Sequence, residues 1–406
     1  MHLPEGGFNS LTHYLFRYPA KFHPPVVRTL IERFTQPGDV VLDPFCGSGT
    51  LLVEAAVAGR HCIGTDIDPL AVFVARVKTH VYNDAHLRRS AVSLLERVSE
   101  MCRTADECAR RQFDDITLED MSAVLLAERL WIPEIPNLLH WFRRYVIIDL
   151  SRIRKIIAEL PVPQTHIDFF LVCFASVIRA ASNADPVPVS GLEVTAHMRR
   201  KEAAGRIINA SALFASAVKK RLEAVAEFGR ATLDVRTSVR QIDATKVRKH
   251  IRTSVDAVIT SPPYHNAVDY YRRHQLEMFW LGLTETQQQR LTLRPLYIGR
   301  PQVSQRDPLF GGDEFTGQIA KYWYATMMQN SRERATAFRH YVIAMKKSLE
   351  QMANCLAPGD PAVLVVGHSS WKGKNIPTTD LITELGEPWF AEAERLWVVT
   401  PFRIDN

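Results

Sequence analysis

Residues 40–69 read VVLDPFCGSGTLLVEAAVAGRHCIGTDIDP. Apolar and β-branched positions lead into Asp43, a turn containing Gly47 and Gly49 follows, and an amphipathic stretch then delivers a second strand ending at Asp66 and Asp68. The pattern predicts a βαβ unit that opens on a small-molecule cofactor. Gly47 and Gly49 let the backbone turn sharply and approach a ligand, while an acid about 20 residues further on accepts both hydroxyls of a ribose.

The spacing is not that of a dinucleotide site. G-x-G-x-x-G is absent and the loop holds no Lys or Arg, which suits a cofactor with a ribose and no phosphate. D-P-F-C-G-S-G-T resembles motif I of S-adenosylmethionine-dependent methyltransferases. A structural strand-turn-helix in some other α/β protein is the alternative, and the downstream acid weighs against it. The resemblance implies S-adenosylmethionine held by Asp43, Pro44, Phe45, Gly47, Ser48, Gly49 and Thr50, with Asp66 and Ile67 at the end of the second strand. Cys46 is read as a small residue filling space beside the cofactor.

Upstream, LTHYLFRYPAKFHPPVVRTLIERFT (11–35) is broken by Pro19 and Pro24 before a helix with Val26, Val27, Leu30, Ile31 and Phe34 on one face. RYPAKFHP followed by DPFCGSGT is similar to motif X followed by motif I in DNA amino-methyltransferases. The resemblance places Tyr18, Lys21 and Phe22 at the methionine end of the cofactor; an N-terminal cap with solvent-facing Lys21 is the plainer reading.

The whole chain bounds these expectations. Its 406 residues suffice for a sizeable core and for more than one compact unit. Lys and Arg number 50 against 44 Asp and Glu, a net charge of +6 that suits a polyanionic partner. No apolar run approaches membrane-spanning length and MHLPEGGFNS lacks a signal-peptide pattern, so a cytoplasmic location is expected. The six cysteines form no C-x-x-C pair and support neither a disulfide framework nor a zinc site.

From about 85 to 232 the periodicity is helical, in segments near 87–108, 118–130, 138–160, 164–182 and 201–229, separated by proline- and glycine-bearing breaks. The expected organisation is a cofactor-binding first half (1–84), a helical insertion (85–232) and a second half (233–406). WFRRY, SRIRK, MRRK and KKR give the insertion basic groups beside aromatic ones, as suits a nucleic-acid face, although solvated helix faces carry the same pattern. Phe169, Phe170 and Phe174 read as core.

The sheet resumes near 233. The resemblance gives Asp243 the motif III acid's contact with the adenine amino group. VRKHIR (247–252) reads as an exposed basic helix. Residues 256–264, DAVITSPPY, predict a buried strand ending in Ser261, Pro262, Pro263 and Tyr264. In a doubly wound sheet the carboxyl ends of neighbouring strands share one crevice, which puts this tetrapeptide beside the 43–50 loop.

An exocyclic amino group on a base is a poor nucleophile because its lone pair is delocalised into the ring. Acceptors around its hydrogens favour the pyramidal form, and the Ser261 hydroxyl and Pro262 carbonyl can supply them, with Tyr264 as a stacking ring. S-P-P-Y is similar to motif IV of DNA amino-methyltransferases, mainly those acting on cytosine N4, although it occurs with adenine too. Asn266, Asp269, Tyr270, Arg272 and Arg273 are then candidates to touch base or backbone. Phe279 and Trp280 read as helix packing.

The residues beyond include a Gly/Pro/Gln loop at 300–320, a helix at about 332–356, a strand in AVLVVGHSS, and a last helix followed by AERLWVV. The resemblance covers about 11–80 and 233–400, and implies a Rossmann-like class I methyltransferase fold, α/β with a doubly wound, mostly parallel sheet and a large all-helical insertion. The expected activity is methyl transfer from S-adenosylmethionine to cytosine N4 in double-stranded DNA by base flipping. Adenine N6, guanine N2 of RNA, and a non-catalytic DNA-binding subunit stay open, as does a restriction enzyme or protein partner engaging the insertion.

Overall fold

The computed structural model describes residues 7, 9–186, 191–265, 270–310, 315–367 and 369–396. Helix α1 (Pro24–Phe34) starts on two prolines and buries Val26, Val27, Leu30 and Ile31. Strand β1 (Val40–Asp43), helix α2 (Thr50–Val57), strand β2 (His61–Asp66) and helix α3 (Pro69–Lys78) follow, realising the βαβ unit. Asp68 caps α3 through the backbone N–H groups of Leu70 and Ala71, and Pro69 opens its first turn.

Eight helices then run without an intervening strand among the described residues. They are α4 (Asp84–Met101), α5 (Ala105–Arg110), α6 (Leu118–Ala127), α7 (Leu138–Trp141), α8 (Arg144–Ala158), α9 (Gln164–Ala181), α10 (Ala196–Ala203) and α11 (Ala210–Ala231). The periodic segment near 87–108 divides because Thr104 begins a new helix with a capping box to Glu107. The segment near 201–229 divides at Gly205, whose φ of +78° ends α10.

Strand β3 (Thr237–Gln241), helix α12 (Val247–His250) and strand β4 (Ala257–Thr260) resume the sheet. The described residues after the S-P-P-Y segment form α13 (Tyr270–Arg273) and α14 (Gln275–Leu281), parted at His274. Helices α15 (Gln287–Leu293), α16 (Gln318–Met328) and α17 (Arg332–Ala353) lead to strand β5 (Ala362–Leu364). The strand expected through AVLVVGHSS stops there. Strands β6 (Ser369–Trp371) and β7 (Lys374–Ile376) form a separate antiparallel pair before helix α18 (Thr378–Gly386). Residues 391–396 carry no regular structure, and the rest of AERLWVV lies outside the described residues.

The five-stranded sheet has the order β3-β2-β1-β4-β5 and is parallel throughout. The direction of winding reverses between β1 and β4, so their carboxyl ends open a crevice at the switch point. This is the Rossmann-like class I methyltransferase arrangement with a large helical insertion. Strands β1 and β4 are buried apolar runs, as inner parallel strands must be when helices cover both faces.

The insertion's apolar core is continuous with two other pieces of chain. Phe169, Phe170, Phe174 and Phe214 pack in one cluster with Leu15 and Phe16 of the N-terminal segment and with Leu276, Phe279 and Trp280 of α14. Trp280 is fully buried and meets Phe142 and Phe174 edge-on at 5.8 and 6.0 Å. The helices thus rest directly on the element that leaves the S-P-P-Y segment. Among the described residues no helix is long and apolar enough to cross a membrane.

Candidate active site

The crevice at the β1–β4 switch point is a cavity of about 430 Å³, within the range of small-molecule sites. Two glycines shape its floor. Gly47 and Gly49 have φ of +49° and +78°, and a Cβ on Gly49 would stand 3.0 Å from the Ala75 Cβ of α3. The turn therefore needs glycine both for its handedness and for the close approach of α2 to α3.

Asp66 is tied into this turn. It accepts the Gly47 N–H at 2.9 Å through Oδ2 and the Asp68 N–H at 2.9 Å through Oδ1. Each oxygen keeps a second lone pair for a ligand hydroxyl. Burial pushes its carboxyl up to about 7, with the Asp68 charge adding to the rise. Asp43 behaves alike: burial pushes it up to about 7, against the pull of the Thr260 hydroxyl at 2.6 Å and the Phe45 N–H at 3.1 Å.

The N-terminal segment closes one side. Tyr18 donates to Asp68 Oδ2 at 3.0 Å and stacks on His274 with centroids 5.1 Å apart. Lys21 and Phe22 line the cavity beside it. The Lys21 ammonium does not face solvent. It donates to the carbonyls of His13 and Phe16 at 2.6 and 2.7 Å, and burial draws it down to about 8. Beneath it, His13 contacts Glu54 at 2.6 Å, and burial lowers that imidazole to about 4, so it is neutral at pH 7. Burial opposes the Glu54 charge, yet hydrogen bonds from His13 and Arg28 hold the carboxyl below its usual range.

From β4 come Ser261, Pro262, Pro263 and Tyr264, all lining the same cavity. Ser261 donates its hydroxyl proton to the Val365 carbonyl at 3.1 Å, which leaves its oxygen lone pairs available as acceptors. Gly367, just past β5, supports Tyr264: a Cβ there would lie 3.2 Å from the ring. His265 turns away under the loop. It is buried against Phe338 and Tyr341 of α17, and burial lowers it to about 4.

The expected cofactor residues thus converge. Pro44, Phe45, Ser48, Thr50, Ile67 and Asp243 line the cavity with those named above, and Gly49 stands at the start of α2. Asp243 caps the short turn after β3 through the Thr245 N–H and hydroxyl. The candidate substrate residues are not gathered in. Asn266 and Asp269 lie outside the described residues, and of Tyr270 only the backbone at the start of α13 is described. Arg272 and Arg273 are not in the lining: Arg272 runs beside Gly191, and the Arg273 carbonyl accepts from Arg179 of α9 at 2.6 Å.

Sequence reasoning missed one wall. Leu296, Tyr297 and Ile298 enter the cavity from the segment after α15, fastened to α17 by the partly buried Arg300–Asp307 ion pair beside His340. The apolar run around Tyr297, amid Gln, Arg and Gly, is the trace it left in the sequence.

These residues fit a cofactor that pairs a ribose with an amino-acid tail. Two carboxylates offer acceptors, and Ser48 Oγ is buried without a partner on the cavity wall. Residues 5–75 match the model of the N6/N4 methylase family, described as DNA methylase. The chain is similar to the type II methyltransferase M.MvaI of Kocuria varians, 23% identical over 399 residues, covering 93% of this chain and 81% of that protein. The family match over the N-terminal residues and the similarity to this relative support reading the chain as an S-adenosylmethionine-dependent DNA amino-methyltransferase.

Type II methyltransferase M.BsoBI of Geobacillus stearothermophilus is 24% identical over 287 residues, 68% of this chain and 54% of that protein. Among solved structures, the rRNA methyltransferase aviRa from Streptomyces viridochromogenes aligns over 62% of this chain and 63% of its own at 12% identity, with a TM-score of 0.24 that carries no weight beside the sheet order. In this methyltransferase, S-adenosylmethionine is the methyl donor. Its glycine turn and S-P-P-Y segment meet at the strand ends where the sheet topology requires a ligand.

Proposed function

We propose that this methyltransferase acts on duplex DNA and methylates cytosine at N4. The observation that carries the reading is Ser261, on the wall of the cofactor cavity with its proton committed to Val365 and its lone pairs left over. When bound, S-adenosylmethionine supplies an electrophilic methyl on a sulfonium. The cofactor roles assigned to Tyr18, Lys21, Phe22, Asp43, Asp66, Ile67 and Asp243 belong to this proposal, as do those of the glycine turn.

Ser261 Oγ and the Pro262 carbonyl accept the two amino hydrogens of a flipped base, which turns the nitrogen lone pair out of the ring. Proline at 262 and 263 removes the N–H groups that would compete for the carbonyls and fixes φ at the strand end. Tyr264, braced by Gly367, stacks on the base. Positioning and exclusion of water supply the rate enhancement, and no residue forms a covalent bond to the base. Cysteine enters nowhere: Cys46 is buried and its thiol is raised well above its usual range by that burial.

Target recognition is assigned to the helical insertion 85–232, the 284–330 segment, whose Leu296, Tyr297 and Ile298 line the cavity, or both. A cytoplasmic location follows for an enzyme whose substrate is the cell's DNA. The test is nucleoside mass spectrometry of mixed-sequence duplex after incubation with isotopically labelled S-adenosylmethionine. Labelled N4-methylcytosine is expected. Labelled N6-methyladenine overturns the choice of base while keeping the reaction, and label confined to RNA, or none, overturns the DNA reading.

A further inference from the structure

Strands β6 and β7 form a two-stranded ribbon that belongs to neither the sheet nor the cofactor cavity. Its register pairs Ser369 with Ile376, Ser370 with Asn375 and Trp371 with Lys374. The turn is two residues long, with Lys372 at φ +48° and Gly373 at φ +77°. Such a turn favours Asn, Asp or Gly at its first position, and a lysine there is strained.

A lone hairpin of this size is marginal in water, so something must hold it. Ile376 is buried and Trp371 packs on the core beneath α17. Ser369 and Thr378 exchange a hydroxyl hydrogen bond at 3.0 Å. The Lys372 ammonium donates to Asn330 Oδ1 at 2.7 Å, which pins the tip to the turn between α16 and α17. The opposite face is left polar and open, with the paired Ser370 and Asn375 exposed, and at the tip Lys372 and Lys374 are exposed as well.

The placement carries the argument. Gly367 lies against the Tyr264 ring, and the ribbon begins two residues later. From Gly367 to Lys372 is five residues, so at about 3.3 Å each the backbone at the tip stands within about 17 Å of Gly367, the length of about five base-pair steps. Arg332, at the start of α17, follows the anchoring Asn330 by two residues, and the Arg334 charge acts on His265 under the S-P-P-Y loop.

We propose that the β6–β7 ribbon is a phosphate-contacting arm, with Lys372 and Lys374 neutralising two backbone phosphates beside the flipped nucleotide. This rests on the duplex-DNA reading above. Contacts of this kind set register without reading sequence, so the arm serves affinity for cognate and non-cognate duplex alike. An ammonium that already holds Asn330 keeps two N–H groups for a phosphate.

The test uses the full-length chain and its Lys372→Ala/Lys374→Ala double variant, titrated with a fluorescent duplex across a range of KCl concentrations. Loss of two phosphate contacts makes the slope of log affinity against log salt shallower by about 2. The KM for duplex rises, on cognate and mismatched sites by the same factor, while the cofactor Kd stays at the wild-type value. Lys372→Arg/Lys374→Arg restores the wild-type slope. A double-alanine variant with the wild-type slope and KM overturns the arm alone, and a wild-type chain that binds no duplex overturns the DNA reading with it.

Discussion

Thr260 donates its hydroxyl to Asp43 Oδ1 across 2.6 Å, joining the carboxyl end of β4 to that of β1 inside the cavity. The bond links the strand that bears the S-P-P-Y segment to the acid that opens the cofactor loop. It also holds down a carboxyl that burial has raised from 3.8 to about 7.

The sign of the pH effect follows. In the folded chain without ligand, Asp43 and Asp66 keep protons to about pH 7 that the unfolded chain releases near 3.8. Their contribution to stability therefore falls as pH rises through that window. A cationic ligand favours the ionised carboxylates, so S-adenosylmethionine affinity climbs between pH 6 and 8 and binding releases protons. Thr260→Val removes the hydroxyl that restrains Asp43, weakens cofactor binding about tenfold at pH 7, and moves the climb to higher pH. Calorimetry in two buffers of different ionisation enthalpy measures both effects; a Kd flat across this range removes the linkage.

Ser261→Ala deletes one acceptor for the amino hydrogens and the 3.1 Å bond to Val365. Lost stability is about 0.5–1.5 kcal/mol, the ordinary worth of a hydrogen bond. The single-turnover rate falls about 100-fold, the scale of removing one group that stabilises a transition state. Cofactor Kd is unchanged. Single-turnover kinetics at saturating cofactor and duplex check the split, and a fully active variant removes the hydroxyl from the mechanism.

How far the sequence reached depends on how each contact is made. Asp43, Gly47, Gly49 and Asp66 were readable because one βαβ unit fixes their spacing, down to the Gly47–Asp66 hydrogen bond. Ser261 to Tyr264 were readable because two prolines at a strand end leave few conformations. Tyr297, Ile298 and Val365 reach the same cavity only through the order of strands and the strap clamped by Arg300 and Asp307, which no local pattern records. The ribbon escaped notice because its turn is Lys-Gly where Asn-Gly would have announced it. Leu276, Phe279 and Trp280 show a helical apolar face, but nothing in their spacing says that the face fits the insertion.

That fit makes Trp280 a joint between the insertion and the catalytic segment. Trp280→Ala opens a void among Phe142, Phe174 and the indole of Trp131, which lies 6.3 Å away, at a cost of about 3–5 kcal/mol. Methylation is lost with the stability, because α14 follows the S-P-P-Y loop closely in the chain. Leu126→Ser, on the exposed face of the same helical block, changes stability by no more than about 0.5 kcal/mol. Urea unfolding of the two variants separates a joint from general sensitivity of the helices; equal midpoints sink it.

Lys78, at the end of α3, is fully buried and its ammonium has no hydrogen-bond partner. Burial pulls its titration well below the usual lysine range, and the Lys21 charge pulls it further. The folded chain therefore binds fewer protons at this site than the unfolded chain, and its contribution to stability rises with pH toward the unfolded lysine value, about 10.4. Lys78→Met keeps the volume and removes the amine, so it stabilises the chain by about 1–3 kcal/mol at pH 7, the scale of an unpaired buried polar group. The gain shrinks by pH 9, where the wild type is relieved of part of the penalty. Thermal unfolding of both proteins at pH 7 and pH 9 is the check: a variant less stable than wild type at both, with the same pH dependence, would mean that the amine finds a partner in the folded chain after all.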